Sequence, residues 1–223
     1  MPRGKIGKIS EWGLYFITDR GLSKQGIFKD TEDALKAGVK VVQYREKEFS
    51  HEKMVEEAQK LKALCENFDA DFIVNDHVGV AMAVDADGVH VGRGDEAVES
   101  ARKKLGIERI VGGSARTLEQ ALGVQNAGAD YVGFYPIFET ATKIDAGSAV
   151  GVAALAEVVN ALEIPVVAVG GITLGNLDSV LGARPASVVA ISAVVGKPDV
   201  YAEALKIGNK IVSARKMLHD LHK

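Results

Sequence analysis

From Leu14 onward, short apolar runs alternate with longer amphipathic stretches, and this alternation constrains the fold more than any other feature. The strand candidates are Leu14–Thr18, Val41–Arg45, Phe72–Asn75, Gly88–Val91, Ile110–Ser114, Tyr131–Phe134, Val166–Val169 and Ser187–Ile191. Between them the spacing predicts helices over Thr31–Ala37, His51–Asn67, His77–Val84, Ala97–Leu105, Leu118–Ala127, Val152–Leu162, Leu174–Leu181 and Val200–Leu221. In the helix at His51–Asn67, Met54, Ala58, Leu61 and Cys65 recur at helical spacing with charges on the other face. Thr117 and Thr173 stand where N-caps belong. Apolar strands without polar alternation need cover on both faces, which the helices of a parallel sheet supply. Eight such units in 223 residues predict an α/β fold, a (β/α)8 TIM barrel in a single domain over residues 1–223, with 1–10 as a flexible N-terminal extension. An open doubly wound sheet is the runner-up. It lacks support from any Gly-x-Gly-x-x-Gly after the first strand or any phosphate-loop Lys-Ser/Thr.

Composition narrows the partners. Thirty acidic against 27 basic residues leave a formal charge of -3, which gives no reason to expect nucleic acid or an anionic membrane. Lone Cys65 sits in a helical stretch without metal-ligand company and reads as a structural thiol. No apolar run approaches the length of a membrane span, and basic Met1–Ser10 lacks a signal peptide's apolar core, so a cytoplasmic location is expected. A homo-oligomer is a candidate assembly.

In a (β/α)8 barrel chemistry gathers at the C-terminal ends of the strands. Alternation along Val41–Lys47 sets Gln43, Arg45 and Lys47 on one side and Tyr44 and Glu46 on the other. An amide, a planar guanidinium fork and an ammonium together suit a polyanion. The competing reading is a solvated strand end with Arg45 paired to a helix carboxylate. Asp76 and Asp95 follow neighbouring strands, and two carboxylates with few softer donors suit Mg²⁺; singly, each reads as a helix cap. Thr140, Thr142 and Lys143 offer two hydroxyls and an ammonium to a diphosphate, or form an ordinary solvated loop. Gly170-Gly171 and the backbone of Ile191–Ala193 suit a second phosphate, or tight packing. Asn75 and Ser114 end their strands, and Ser192 follows the last. His90, inside an apolar strand, reads as a hydrogen-bonded core histidine, and no Ser/His/Asp, Cys/His or zinc spacing stands out.

Taken together, these segments resemble the thiamine phosphate synthase (thiamine-phosphate pyrophosphorylase) family over nearly the whole chain. Leu14–Asp19, Gln43-x-Arg45-x-Lys47, Asn75-Asp76, Gly92-x-x-Asp95, Ser114-Ala115-x-Thr117, Thr140-x-Thr142-Lys143, Val169–Ile172 and Ile191–Ala193 fall in the family's order. The resemblance implies that hydroxymethylpyrimidine diphosphate and a thiazole phosphate are joined with release of pyrophosphate. It implies Mg²⁺ on Asp76 and Asp95, and Arg45, Lys47 and Lys143 neutralising the leaving diphosphate. Asn75, Ser114, Thr140 and Thr142 would orient the diphosphate, Gln43 would hold the pyrimidine substrate, and the Gly171, Ile191 and Ser192 segments would hold the thiazole phosphate. The chain departs from the family pattern at Arg93, Arg116, Tyr135 and Glu139, where glutamine, histidine, glycine and proline are common. The rivals are a thiazole tautomerase, which needs a base but no diphosphate site, and a non-catalytic barrel binding thiamine precursors.

Overall fold

The computed structural model describes residues 8–92, 94, 96–140 and 147–220. Eight parallel strands close into a barrel in sequence order: β1 (Gly13–Ile17), β2 (Val41–Tyr44), β3 (Asp71–Asn75), β4 (Gly88–Val91), β5 (Ile110–Ala115), β6 (Tyr131–Phe134), β7 (Val166–Val169) and β8 (Ser187–Val189). Closure is made by β8 pairing β1, Gly13 opposite Ser187 and Leu14 opposite Val188. The first seven strands are followed by α1 (Ile27–Lys36), α2 (His51–Glu66), α3 (Val78–Ala83), α4 (Val98–Leu105), α5 (Leu118–Asn126), α6 (Gly151–Ala161) and α7 (Leu177–Gly182). After β8 come the short α8 (Ile191–Val194) and the long α9 (Val200–Asp220).

Side chains alternate between two cores, as strand geometry requires. Outward residues such as Val42, Tyr44, Phe72, Val74, Val132 and Phe134 pack under the helices. Inward residues Tyr15, Val41, Ile73, Ile110, Tyr131 and Val167 fill the barrel. Helix starts follow local chemistry where a cap exists: the Ser50 hydroxyl accepts from Lys53 N at the head of α2, and Thr117 accepts from Gln120 N at the head of α5.

Several expectations are corrected. Strand eight stops at Val189, and Ile191 opens α8 instead of extending the sheet. The first helix starts at Ile27, not Thr31, and Thr173 is no N-cap: the turn at Thr173–Asn176 intervenes, and α7 starts at Leu177. Of the extension assigned to 1–10, residues 1–7 lie outside the described residues, while 8–10 belong to a helical turn that floors the barrel. There Ile9 is fully buried, and Trp12 packs edge-on against Tyr15 and Tyr131 at 5.2 and 5.3 Å. Trp12 Nε1 donates to Asp71 Oδ2 at 2.7 Å, and Lys8 Nζ meets Asp71 Oδ1 at 2.6 Å. Burial pushes the Asp71 carboxyl above its ordinary range, an effect that Lys8 and Trp12 oppose.

Candidate active site

A cavity of about 440 Å³ opens at the C-terminal end of the strands. Gln43, Arg45 and Lys47 line it together, while Tyr44 points outward and donates to Glu57 Oε2 at 2.8 Å. The strand end is held from below by Glu46, which is 7% exposed. Its Oε1 accepts from the backbone N–H of Lys47 and Glu48 at 2.8 and 2.9 Å, and its Oε2 from Arg20 Nε at 2.8 Å. Burial would raise the Glu46 carboxyl; Arg20 and the two amides outweigh it and hold the group below the usual range. The Arg45 guanidinium lies 3.6 Å from Asp19 Oδ2, a carboxylate just past β1 and not on a helix, and the Arg45 amide donates to Thr18 Oγ1.

Asn75 and Asp76 enter from β3. Asp76 has φ +62°, uncommon for a residue with a Cβ. It caps no helix: α3 begins after His77 without a side-chain cap bond. Instead Asp76 Oδ1 accepts from Gly92 N at 3.2 Å, and Oδ2 lies 3.9 Å from Lys47 Nζ. The carboxylate thus joins the basic side chains across the cavity wall. Asp95, its expected companion, lies outside the described residues, as do Thr142 and Lys143. Among the described residues no group of three His, Cys, Asp or Glu side chains is arranged to hold a metal.

Ser114, Thr140, Gly171, Ile191 and Ser192 complete the cavity wall. The Gly170-Gly171 pair has φ +101° and +64°, and a Cβ on Gly171 would stand 2.5 Å from the Glu139 carbonyl oxygen. Both the backbone conformation and the close approach therefore require glycine. The loop after β6 is held near its two ends: Glu139 Oε1 accepts from Ala149 N at 3.1 Å, and Arg116 Nη2 donates to Ser148 O at 3.0 Å. Two departures from the family pattern, Arg116 and Glu139, thus brace one loop. Tyr135, a third, is half-buried and also lines the cavity.

Sequence reasoning missed the cavity floor. Tyr15, His90, Tyr131 and Arg116 all face the site, and His90 is only half-buried, so the core reading of that residue is corrected. Its expected hydrogen bonds are present: Nδ1 to Tyr131 Oη at 3.0 Å and Nε2 to Ser114 Oγ at 2.9 Å. The available signal was the small residues opposite: a Cβ on Gly112 would meet the Tyr131 ring at 2.1 Å, and one on Gly133 the His90 ring at 3.0 Å.

A closed parallel barrel whose mouth, among the described residues, gathers cations, amides, hydroxyls and the Asp76 carboxylate is an enzyme scaffold fitted to phosphorylated substrates. A family model described as thiamine monophosphate synthase matches residues 14–194, and the chain belongs to that family. A thiamine-phosphate synthase of Methanosarcina barkeri is 48% identical over 212 residues, covering 95% of this chain and 96% of the relative. That of Chloroflexus aurantiacus is 43% identical, covering 91% and 94%. The solved thiamine phosphate pyrophosphorylase of Pyrococcus furiosus superposes with a TM-score of 0.86 at 35% identity, covering 92% of this chain and 98% of that one. A geranylgeranylglyceryl phosphate synthase of Thermoplasma acidophilum, at 16% identity and TM-score 0.67 over 93% and 96% of the two chains, shares the fold.

Proposed function

We propose that this chain condenses 4-amino-2-methyl-5-hydroxymethylpyrimidine diphosphate with 4-methyl-5-(2-hydroxyethyl)thiazole phosphate, or with its carboxylated form and loss of CO2, giving thiamine phosphate and pyrophosphate. The observation that carries this reading is the convergence of Gln43, Arg45, Lys47, Asn75, Asp76 and Ser114 on one cavity wall. In the reaction the bond between the pyrimidine methylene carbon and the diphosphate oxygen breaks, and a bond from the thiazole nitrogen to that carbon forms. The carbon–oxygen bond breaks largely first. Negative charge therefore builds on the departing diphosphate, where Arg45, Lys47 and Lys143 neutralise it. Asn75, Ser114, Thr140 and Thr142 orient that group, and Gln43 holds the pyrimidine. Gly171, Ile191 and Ser192 hold the thiazole phosphate so that its nitrogen stands within reach of the carbon. The displacement needs no protein nucleophile.

The donor set also fits Mg²⁺. Asp76 offers a carboxylate, a donor suited to a hard cation, held in an uncommon backbone conformation at the cavity wall beside Lys47. Asp76 and Asp95 would hold the ion, which supplies charge neutralisation to the diphosphate. The reading extends to one domain over residues 1–223 and to a cytoplasmic enzyme without nucleic-acid or membrane partners. Among the described residues no helix is long and apolar enough to cross a membrane. Self-association is included in the reading. Purified protein given both substrates and Mg²⁺ should release pyrophosphate and stop with EDTA. Saturable binding without product would identify a binding barrel, and isomerised thiazole phosphate alone a tautomerase.

A further inference from the structure

We propose that Tyr131 and His90 are positioning residues: a buried hydrogen-bond chain sets the tautomer of His90 and thereby turns the Ser114 hydroxyl hydrogen into the cavity. The inference rests on reading Ser114 as a ligand of the diphosphate. The chain runs from β2 through β1, β6 and β4 to β5. Gln43 Nε2 donates to Tyr15 Oη at 2.9 Å, and the Tyr15 and Tyr131 hydroxyls are 2.8 Å apart. Tyr131 Oη lies 3.0 Å from His90 Nδ1, and His90 Nε2 lies 2.9 Å from Ser114 Oγ.

Hydrogen counting then fixes a direction. Each phenol has one hydrogen and two partners in the chain, so it must donate to one and accept from the other. The Gln43 nitrogen can only donate; Tyr15 therefore accepts from it and donates to Tyr131. Tyr131 in turn donates to His90 Nδ1. With Nδ1 accepting, the imidazole proton sits on Nε2 and is donated to Ser114 Oγ. Ser114 keeps its own hydrogen, free to meet an anion. The reverse order needs the Gln43 amide turned over, spends the Ser114 hydrogen on His90 and presents only lone pairs to a polyanion. Both phenols are fully buried, and burial raises the pKa of each well above the ordinary range, so each keeps its hydrogen at working pH. The rings have little freedom to rearrange: Tyr131 stacks on His90 at 5.4 Å, over Gly112 and beside Gly133.

Long-range proton–nitrogen NMR on ¹⁵N-histidine-labelled protein reads the tautomer directly, with the His90 signal assigned by its loss in His90→Gln. The expected wild-type form carries the proton on Nε2. In Tyr131→Phe the Nδ1 site loses its donor, and the tautomers should mix or invert. Calorimetric affinity for inorganic pyrophosphate with Mg²⁺ should fall on the order of tenfold, the scale of one hydrogen bond to a charged group. KM for the thiazole phosphate should not move. Ser114→Ala should lose the same factor, and the double variant no more than either single one. If Tyr131→Phe fails to fold, Tyr15→Phe breaks the same chain one link earlier and should mix the tautomers likewise. A wild-type proton on Nδ1, an unchanged tautomer in the phenylalanine variant, or additive losses would overturn the proposal. Unchanged pyrophosphate affinity in Ser114→Ala overturns the reading of Ser114 as a diphosphate ligand, and the wild-type NMR spectrum then still decides the order of the chain.

Discussion

Glu46→Ala should both destabilise the barrel and loosen the cationic strand end. The side chain points away from the cavity, yet one oxygen holds the Lys47 and Glu48 amides and the other holds Arg20. Losing an acceptor costs about 1–3 kcal/mol for each donor left unpaired out of water. Lys47 and Glu48 are exposed, so water recovers part of that, and Arg20 keeps its bond to Glu57. A net loss of about 2–4 kcal/mol follows, which for a chain of this size lowers Tm by about 5–15 °C. KM for the pyrimidine diphosphate should rise several-fold, because Arg45 and Lys47 lose the support that fixes the backbone between them. Glu46→Gln keeps one oxygen for both amides and places a donor against Arg20, so it should lose about half as much. The pH dependence has a definite sign. A carboxyl held below its unfolded pKa contributes stability that is fully present above that value and is lost as pH falls through the depressed one. Urea unfolding between pH 3 and 7 should show a shallower acid limb in Glu46→Gln than in wild type. Stability within about 0.5 kcal/mol of wild type in Glu46→Ala, or greater damage from glutamine than from alanine, would refute the reasoning.

Arg45→Lys keeps the charge but loses the planar two-point contact, and should raise KM for the pyrimidine diphosphate about tenfold with unchanged Tm; steady-state kinetics and a melting curve check both. Gly112→Ala places a methyl 2.1 Å from the Tyr131 ring, so the strand or the ring must shift. It should cost about 1–3 kcal/mol in urea unfolding, with larger losses where the barrel cannot relax.

Much of this molecule is visible in residue order because periodicity is local. Runs such as Phe72–Asn75 and Val166–Val169 are apolar on both faces, so they read as covered parallel strands, and they are β3 and β7 within a residue. The side-chain period of two likewise separates Gln43, Arg45 and Lys47 from Tyr44 and Glu46. The misreadings come from contacts between distant segments. Thr173 is the local exception: it has the chemistry of a cap, but its backbone N–H donates to Asn176 Oδ1 in a turn that precedes α7. Asp76 also has a cap's position, yet Gly92 and Lys47, just past β4 and β2, claim its oxygens. Residues 8–12 carry no strong pattern, and become the barrel floor only because Asp71 and two tyrosine rings receive Lys8 and Trp12.

Residue order alone determined that this chain builds eight strand–helix units and carries cations, amides and hydroxyls at strand ends, since both depend on spacing within a few residues. Tertiary structure alone decided that Gln43, Tyr15, Tyr131, His90 and Ser114 form one hydrogen-bond chain, although up to 116 positions separate adjacent members. Barrel closure is the physical reason: it turns the alternate faces of all eight strands toward one axis, where residues remote in the chain must share hydrogens away from water.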